Sequence, residues 1–356
     1  MKILHLSSEK TWRGGEQQIA YLIAELRNEG VESVVALRKN SEFKNFCIKE
    51  KIPFIELGFK NEFDLLTANG IKKFALKEKV DLLHLHSAKS HGLAYLASLL
   101  GLKTPMILSK RTDFPMKKNF FGRRKYESKS IKKILCVSKK IKEILDRDLK
   151  EPEKTLAVYS GVDISKFKFD KKFFFHDLLK LDHSTKLVGN TSAIADQKDY
   201  FTFVNVAEVV CRKRDDVRFL IIGNGPMENE IMDYVKSKKL EDKVLFTGFL
   251  NNLPEVLFNL DVFLITSKTE GLGTSILDAH ACGIPVVGTD AGGIGEIVID
   301  QITGSLCKIG DVKALSDNVL KRLDDKNTFS AKEFVKEFSK EATARNTLNI
   351  YKEVLS

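Results

Sequence analysis

Short, nearly continuous apolar runs alternate along this chain with longer stretches in which apolar residues recur every three or four positions. The runs ILHLSS (3–8), SVVALR (33–38), IPFIEL (52–57), VDLLHLHS (80–87), PMILSKR (105–111), ILCVS (134–138) and TLAVYSG (155–161) read as strands buried on both faces. The intervening periods predict helices, among them one over about 16–28 and one over about 91–99. The rhythm restarts with KLVGNTSA (186–193), VRFLIIGNG (217–225), VLFTGF (244–249), VFLITS (262–267) and PVVGTD (285–290). Helices are predicted between these runs over 200–213, 228–239, 253–260, 274–282 and 295–298, and the chain closes on helical sequence over about 331–354. Strand–helix alternation twice over predicts α/β architecture with two doubly wound, Rossmann-like domains. The polar, turn-prone segment 161–172 sets the boundary. Residues 1–165 form one expected domain and 166–339 the other, with a C-terminal helix over about 340–356 expected to pack back on the first. Ligands of such sheets lie beyond the carboxyl ends of the strands, so the expected site is a cleft across which the two domains face each other.

Composition narrows the class. At 356 residues the chain is long enough for two cores, and 43% hydrophobic with 30% charged residues fits a soluble globular protein. The first ten residues read as a strand rather than a signal peptide, and no run approaches the roughly 18–20 apolar residues of a membrane span. Cys47, Cys136, Cys211, Cys282 and Cys307 are scattered singly, without zinc-ligand spacing, and are expected to be reduced thiols of a cytoplasmic protein. The net charge of +10 is uneven: residues 103–150 hold 16 Lys or Arg against 5 Asp or Glu. There Phe114, Phe120 and Phe121 interleave with Lys117, Lys118, Arg123, Arg124 and Lys125. Aromatics among cations suit the anionic face of a membrane, so peripheral binding to the inner leaflet is expected, with an acceptor-phosphate loop or a plain solvated surface as the other readings.

The residues richest in chemistry are 267–287, SKTEGLGTSILDAHACGIPVV. A strand ends, a glycine turn follows, and a helix begins near Thr274. Gly271 and Gly273 remove side chains where a ligand must approach the backbone, and Thr274 and Ser275 stand at a helix start suited to phosphate. Glu270 and Asp278, eight residues apart, are placed to hydrogen-bond sugar rings on either side of a diphosphate. By itself the loop fits an ordinary capped strand–turn–helix equally well. Gly283-Ile284-Pro285 and Gly292-Gly293-Ile294-Gly295-Glu296 tip the balance. His84 and His86 alternate on one strand and share a face; His91 is expected on a helix surface. Trp12 and Arg13 precede Gly14-Gly15, Trp12 either shaping the cleft or packing.

This pattern resembles the family-four retaining glycosyltransferases of GT-B type: an acid, seven residues, a second acid, then Gly-x-Pro-Val and Gly-Gly-x-x-Glu. The resemblance extends to Gly14-Gly15-Glu16, His84-Leu85-His86, Val137-Ser138, Ser160-Gly161-Val162-Asp163, Gly223-Asn224-Gly225-Pro226 and Tyr351. It implies that Glu270 binds donor-sugar hydroxyls, Asp278 the ribose diol, and the amides near Gly273, Thr274 and Ser275 the distal phosphate, with Gly271 and Leu272 also among the donor-binding residues. It implies that Lys198 neutralises the leaving diphosphate, that Gly14 and Gly15 let a loop approach it, that Gly223, Asn224 and Gly225 border the nucleotide, and that His86 lies near the reacting carbon or acceptor. Two positions depart from the pattern. The second acid is Asp278 rather than glutamate, and Ala193 stands where an arginine is usual, five residues before Lys198. Lys110 and Arg111 are candidates to supply the missing charge.

The expected activity is retaining transfer of a hexosyl group from a UDP- or GDP-sugar to a lipid-linked or lipopolysaccharide-type glycan acceptor, without metal or cofactor. An NDP-sugar epimerase on the same fold and a non-catalytic glycosyltransferase-like subunit are the alternatives. A nicotinamide dehydrogenase is disfavoured because residue 228 is Glu where GxGxxG needs glycine, and no nucleic-acid module is present.

Overall fold

A computed structural model describes residues 1–114, 116, 120–167, 174–250, 252–325 and 331–356, without the side chains of 120 and 174. The chain divides into two units, Met1–Gly161 with Lys340–Ser356, and Val162–Ser339. In the first, β1 (Lys2–Ser7), β2 (Glu32–Arg38), β3 (Phe54–Leu57), β4 (Leu82–Leu85), β5 (Met106–Lys110), β6 (Ile131–Cys136) and β7 (Thr155–Ala157) form a parallel sheet in the order β3-β2-β1-β4-β5-β6-β7. In the second, β8 (Lys186–Asn190), β9 (Val217–Ile221), β10 (Val244–Phe246), β11 (Val262–Ile265), β12 (Val286–Thr289) and β13 (Gly304–Cys307) run β10-β9-β8-β11-β12-β13. Both orders reverse direction once, between β1 and β4 and between β8 and β11. Helices following adjacent strands leave opposite faces there, and the opening between them is where a doubly wound sheet takes its ligand.

The two doubly wound sheets are those the apolar runs predict. β4 and β11 are buried at every position, as continuous apolar strands must be when helices cover both faces. In the first unit Leu22 and Leu26 of the helix Gly14–Asn28 pack with Ile3, Leu82, Ile107 and Tyr351, while Ile19 and Ile23 of the same helix join Val35, Leu37 and Phe43. In the second unit Phe203 and Val206 of the helix Tyr200–Lys213 pack on Val188, Phe219 and Leu264. Such side chains contribute roughly 1.5–3 kcal/mol each on full burial.

The C-terminal helix Lys340–Leu355 packs against the helix Gly14–Asn28, and its Lys340 pairs with Glu25 at 3.2 Å. Sequence periodicity missed the edge strand β13, where Gly304 and Ser305 leave only two apolar side chains, and the helices Phe43–Lys49, Leu65–Lys77 and Val312–Asp324. The helix expected over 295–298 is a single 3-10 turn, Ile294–Glu296. His91, expected on a helix surface, is 1% exposed: its Nε2 lies 3.0 Å from the Lys125 carbonyl oxygen, and its ring meets Tyr126 edge-on. A polar residue can stand on an inward helix face when a backbone acceptor is waiting for it.

Among the described residues no helix is long and apolar enough to cross a membrane.

Candidate active site

The switch point of the second unit carries charge. Beyond β8, the 3-10 turn Asp196–Lys198 presents Lys198; beyond β11, Thr266–Glu270 presents Glu270. The Lys198 ammonium pairs with Glu270 Oε1, and the Ser267 hydroxyl donates to the same oxygen at 3.0 Å. The two charged side chains are 17% and 12% exposed. The backbones of the two loops are stitched together. Thr266 donates its hydroxyl to the carbonyls of Lys198 (3.1 Å) and Asp199 (2.9 Å), and the Lys268 amide donates to the Gln197 carbonyl at 2.9 Å.

The glycine pair after β12 completes the frame. Gly292 has φ +57°, and a Cβ there would stand 1.8 Å from the Glu270 carbonyl oxygen; the Gly293 amide donates to that oxygen at 3.2 Å. Gly-Gly thus fixes the backbone that carries Glu270.

The helix Thr274–Cys282 starts from Gly273, whose φ of +89° places it in the left-handed region, and no side chain caps that start. Leu272 is buried, whereas Thr274 and Ser275 are half-buried at the helix N-terminus, which favours anions. Asp278, one turn further, is half-buried by exposed area yet crowded by protein, and that loss of water pushes its carboxyl up to about 7, with Lys166 pulling the other way.

Gly223 and Gly225 are also required by the fold. A Cβ at Gly223 would lie 2.4 Å from the Ser192 carbonyl oxygen, and one at Gly225 would lie 2.1 Å from that of Ile194. Their missing side chains admit the chain's own β8 loop, so close ligand approach is not needed to explain them. Asn224 between them is exposed. Gly14 and Gly15 do face open space, with nothing within 4 Å of a built Cβ.

At the switch point of the first unit, three imidazoles converge. His86 follows β4 directly, and its Nε2 lies 3.1 Å from Nδ1 of His5 on β1, opposite His84 in the strand register. The His84 ring lies 4.0 Å from that of His86, tilted by 37°, and uses both ring nitrogens, Nδ1 toward the Tyr351 hydroxyl (2.5 Å) and Nε2 toward the Ser109 hydroxyl (2.8 Å). Burial holds His5 down to about 3 and His84 and His86 well below the usual range, so all three are neutral at physiological pH. One donor nitrogen from each ring lies within 4.8 Å of the others, the spacing a metal needs. The surroundings do not suit one. A metal-bound imidazole normally donates its second N–H to an acceptor, but among the described residues His5 Nε2 and His86 Nδ1 have no partner, and His84 is already fully engaged.

The expected membrane residues separate into structural and exposed groups. Lys117 and Lys118 lie outside the described residues, as does the Phe120 side chain. Lys110 donates to the Thr112 hydroxyl and the Phe114 carbonyl, and Arg111 to the Ser160 hydroxyl at 3.4 Å, so both are tied to their own unit. Burial lowers Arg111 to about 10.

Lys125, read as part of the basic face, is instead 6% exposed and paired with Glu62 at 3.2 Å. Phe121 packs on Phe63 and Tyr95. Arg123, Arg124 and Phe114 are exposed. Beside them the structure adds Phe63 (64% exposed), Leu65 (60%) and Leu66 (82%), joined to the helix Phe120–Tyr126 by the Phe63–Phe121 contact and the Glu62–Lys125 pair. Sequence reasoning missed these three because they open the helix Leu65–Lys77, which was itself unread; three large apolar residues in FDLL were the available signal. It missed His5 and Ser267 as well. Trp12 packs on Phe43 and Phe46.

Two doubly wound units, one with a cation, a carboxylate and a helix start converging at its switch point, define a two-domain glycosyltransferase of GT-B type. Family models account for nearly the whole length: Glycosyltransferase Family 4 matches residues 12–166, and Glycosyl transferases group 1 matches residues 172–345. The chain belongs to the family-four glycosyltransferases.

It is 27% identical over 274 residues to N-acetyl-alpha-D-glucosaminyl L-malate synthase of Bacillus anthracis, covering 74% of this chain and 70% of that one. It is 25% identical over 280 residues to the Escherichia coli UDP-Gal:alpha-D-GlcNAc-diphosphoundecaprenol alpha-1,3-galactosyltransferase, covering 74% and 71%. In fold it matches the Anabaena protein HepE, solved in complex with UDP and glucose, with a TM-score of 0.86 at 18% identity over 99% of this chain and 100% of that one.

Proposed function

We propose that this enzyme transfers a hexosyl group, with retention of configuration, from a nucleotide-sugar bound at the Lys198–Glu270 site to a lipid-linked or lipopolysaccharide-type acceptor. The observation that carries the reading is the pairing of Lys198 with Glu270 at the β8–β11 switch point, in a unit that also presents the uncapped start of the helix Thr274–Cys282. Lys198 and the amides of that helix start would receive the diphosphate, Glu270 the hydroxyls of the sugar, and Asp278 the ribose diol. As the bond between sugar and phosphate breaks, negative charge grows on the leaving oxygen; a fixed ammonium and helix-end N–H groups stabilise it where it appears. No metal is needed in that scheme. The acceptor hydroxyl attacks the face the phosphate leaves, and the departing phosphate oxygen takes its proton. His86, neutral and at the end of β4, would contact the acceptor or the sugar. The donor is proposed as a UDP- or GDP-sugar; the complexed nucleotide of the HepE structure favours UDP.

The lipid-linked acceptor draws support from the Escherichia coli relative's name and from the exposed Phe63, Leu65 and Leu66 beside Arg123 and Arg124. Apolar side chains that enter an interface, next to cations that meet anionic head groups, suit peripheral attachment to the inner face of the cytoplasmic membrane. Thermal melting across a panel of UDP- and GDP-sugars tests the donor site: one donor should raise the melting temperature, and Lys198→Ala, which removes the cation proposed to receive the diphosphate, should abolish the rise. No shift from any donor would defeat the reading. Co-sedimentation with phosphatidylglycerol vesicles at low salt tests the membrane part, and failure to sediment would remove it.

A further inference from the structure

We infer that the Lys198–Glu270 ion pair makes this site select an intact nucleotide-sugar over the nucleoside diphosphate that transfer leaves behind, an inference that rests on the donor reading above. Each charged group occupies the place of the other's expected ligand. Lys198 donates to Glu270 where sugar hydroxyls would donate, and Glu270 faces Lys198 where a phosphate oxygen would stand.

Both side chains are largely buried, so neither can give up its partner to bulk water at low cost. Removing one partner of a buried pair strands the other charge, and that penalty exceeds what the pair itself contributes.

The two classes of ligand meet this pair differently. A nucleoside diphosphate draws Lys198 onto its phosphate and leaves the Glu270 carboxylate with only the Ser267 hydroxyl on the shared oxygen. A nucleotide-sugar draws Lys198 in the same way and also brings hydroxyls that donate to Glu270. In that exchange every charge that loses a partner gains one. The loops cannot relieve the mismatch by moving apart, because Thr266 and Lys268 bind the backbone of one to the backbone of the other. The exchange is therefore confined to the side chains. After transfer the sugar hydroxyls leave Glu270, the carboxylate reclaims Lys198, and the diphosphate loses its cation. Re-pairing accompanies product release and limits inhibition by product.

Isothermal titration of the full-length protein tests this with UDP, GDP, UDP-glucose, UDP-N-acetylglucosamine and GDP-mannose. The wild type should bind one sugar nucleotide about tenfold or more tighter than the matching diphosphate. Glu270→Gln removes the carboxylate's claim on Lys198. It should bind the diphosphate about tenfold tighter than the wild type does, while losing the preference for the sugar nucleotide. Affinity for product thus rises on removing a site residue, which simple damage to the site would not produce. Glu270→Asp keeps the charge but draws it back by one methylene, and should fall between the two; it carries the test if the Gln variant does not fold.

Diphosphate affinity in both variants equal to or below that of the wild type overturns the inference and leaves the donor reading standing. Absence of binding by every nucleotide to the wild type overturns both.

Discussion

At the switch point between β1 and β4, three neutral imidazoles lean on one another and on hydroxyls; at the switch point between β8 and β11, an ammonium and a carboxylate hold each other. The strand orders around the two points are alike, and the chemistry is opposite. Imidazoles whose pKa values are depressed by burial hold no charge that a ligand could claim. Their value lies in shape and in fixed hydrogen bonds, including the one that ties the C-terminal helix through Tyr351 to β4. The ion pair is different: each charge faces its partner, with the Ser267 hydroxyl also donating to the carboxylate, and a ligand group of like kind can take the partner's place. The comparison teaches that one fold feature can carry neutral, hydrogen-bonded side chains in one unit and a pair of opposite charges in the other.

Breaking the charged point should give the largest effect. Lys198→Ala should lower kcat for transfer about 100- to 1000-fold, the scale of losing one preorganised stabiliser of a leaving oxyanion. The unfolding midpoint in denaturant should move far less in relative terms. If kcat in a steady-state assay falls by less than about fivefold, the charged switch point is not where the leaving group is stabilised.

Acid should break the neutral point. An unfolded histidine titrates near 6.5, whereas burial holds His5 down to about 3 and His84 and His86 lower than usual. Below pH 6.5 the unfolded chain therefore takes protons that the folded one refuses. Stability present above that pH is lost as the pH falls, by about 2 kcal/mol at pH 5 from His5 alone. Asp278 works in the other direction: its folded carboxyl is raised, so it contributes stability at low pH that is lost as the pH rises from near 3.8 to about 7. Urea unfolding of the wild type and of His5→Asn at pH 7.5 and pH 5 checks the first sign, and the variant should lose less on acidification. Unfolding of Asp278→Asn across pH 4 to 7 checks the second; a stability curve parallel to that of the wild type would contradict the assignment.

A smaller effect sharpens the contrast. Tyr351→Phe leaves His84 Nδ1 buried without its hydroxyl, which costs about 1–3 kcal/mol. Nucleotide affinity should stay within about twofold of the wild type, because the proposed donor site lies in the other unit. A calorimetric titration showing the nucleotide lost along with the stability would mean that the two points do not act separately.

Gly292→Ala joins frame to function: its Cβ would meet the Glu270 carbonyl and its φ is positive, so it should cost stability by about 1 kcal/mol or more and displace Glu270. Transfer should then fall further than folding does, read as kcat against the unfolding midpoint.

Much of this was legible along the chain. Mostly apolar runs between helical periods pointed to both sheets, because a strand covered on two faces is apolar at most positions. The motif around Glu270 stood out because glycines, hydroxyls and acids crowd a strand end. Other features were not legible. His91 looks like a surface residue until the Lys125 carbonyl is found beside it. Gly223 and Gly225 read as a ligand loop, and nothing in the sequence shows that their missing Cβ atoms also make room for Ser192 and Ile194. Lys125 belongs by sequence to a basic face, yet Glu62, 63 residues earlier, holds it inside. In each case a partner distant in sequence decided the role.

What the sequence determined by itself is periodic and local: two alternating α/β halves, the turn chemistry at strand ends, and the residue types available there. Tertiary structure alone decided which of those residues meet. Lys198 and Glu270 are 72 residues apart, and His5 and His86 are 81 apart. They become neighbours because the strand order reverses between β8 and β11 and between β1 and β4, and hydrophobic periodicity, which repeats within one element, carries no information about that order.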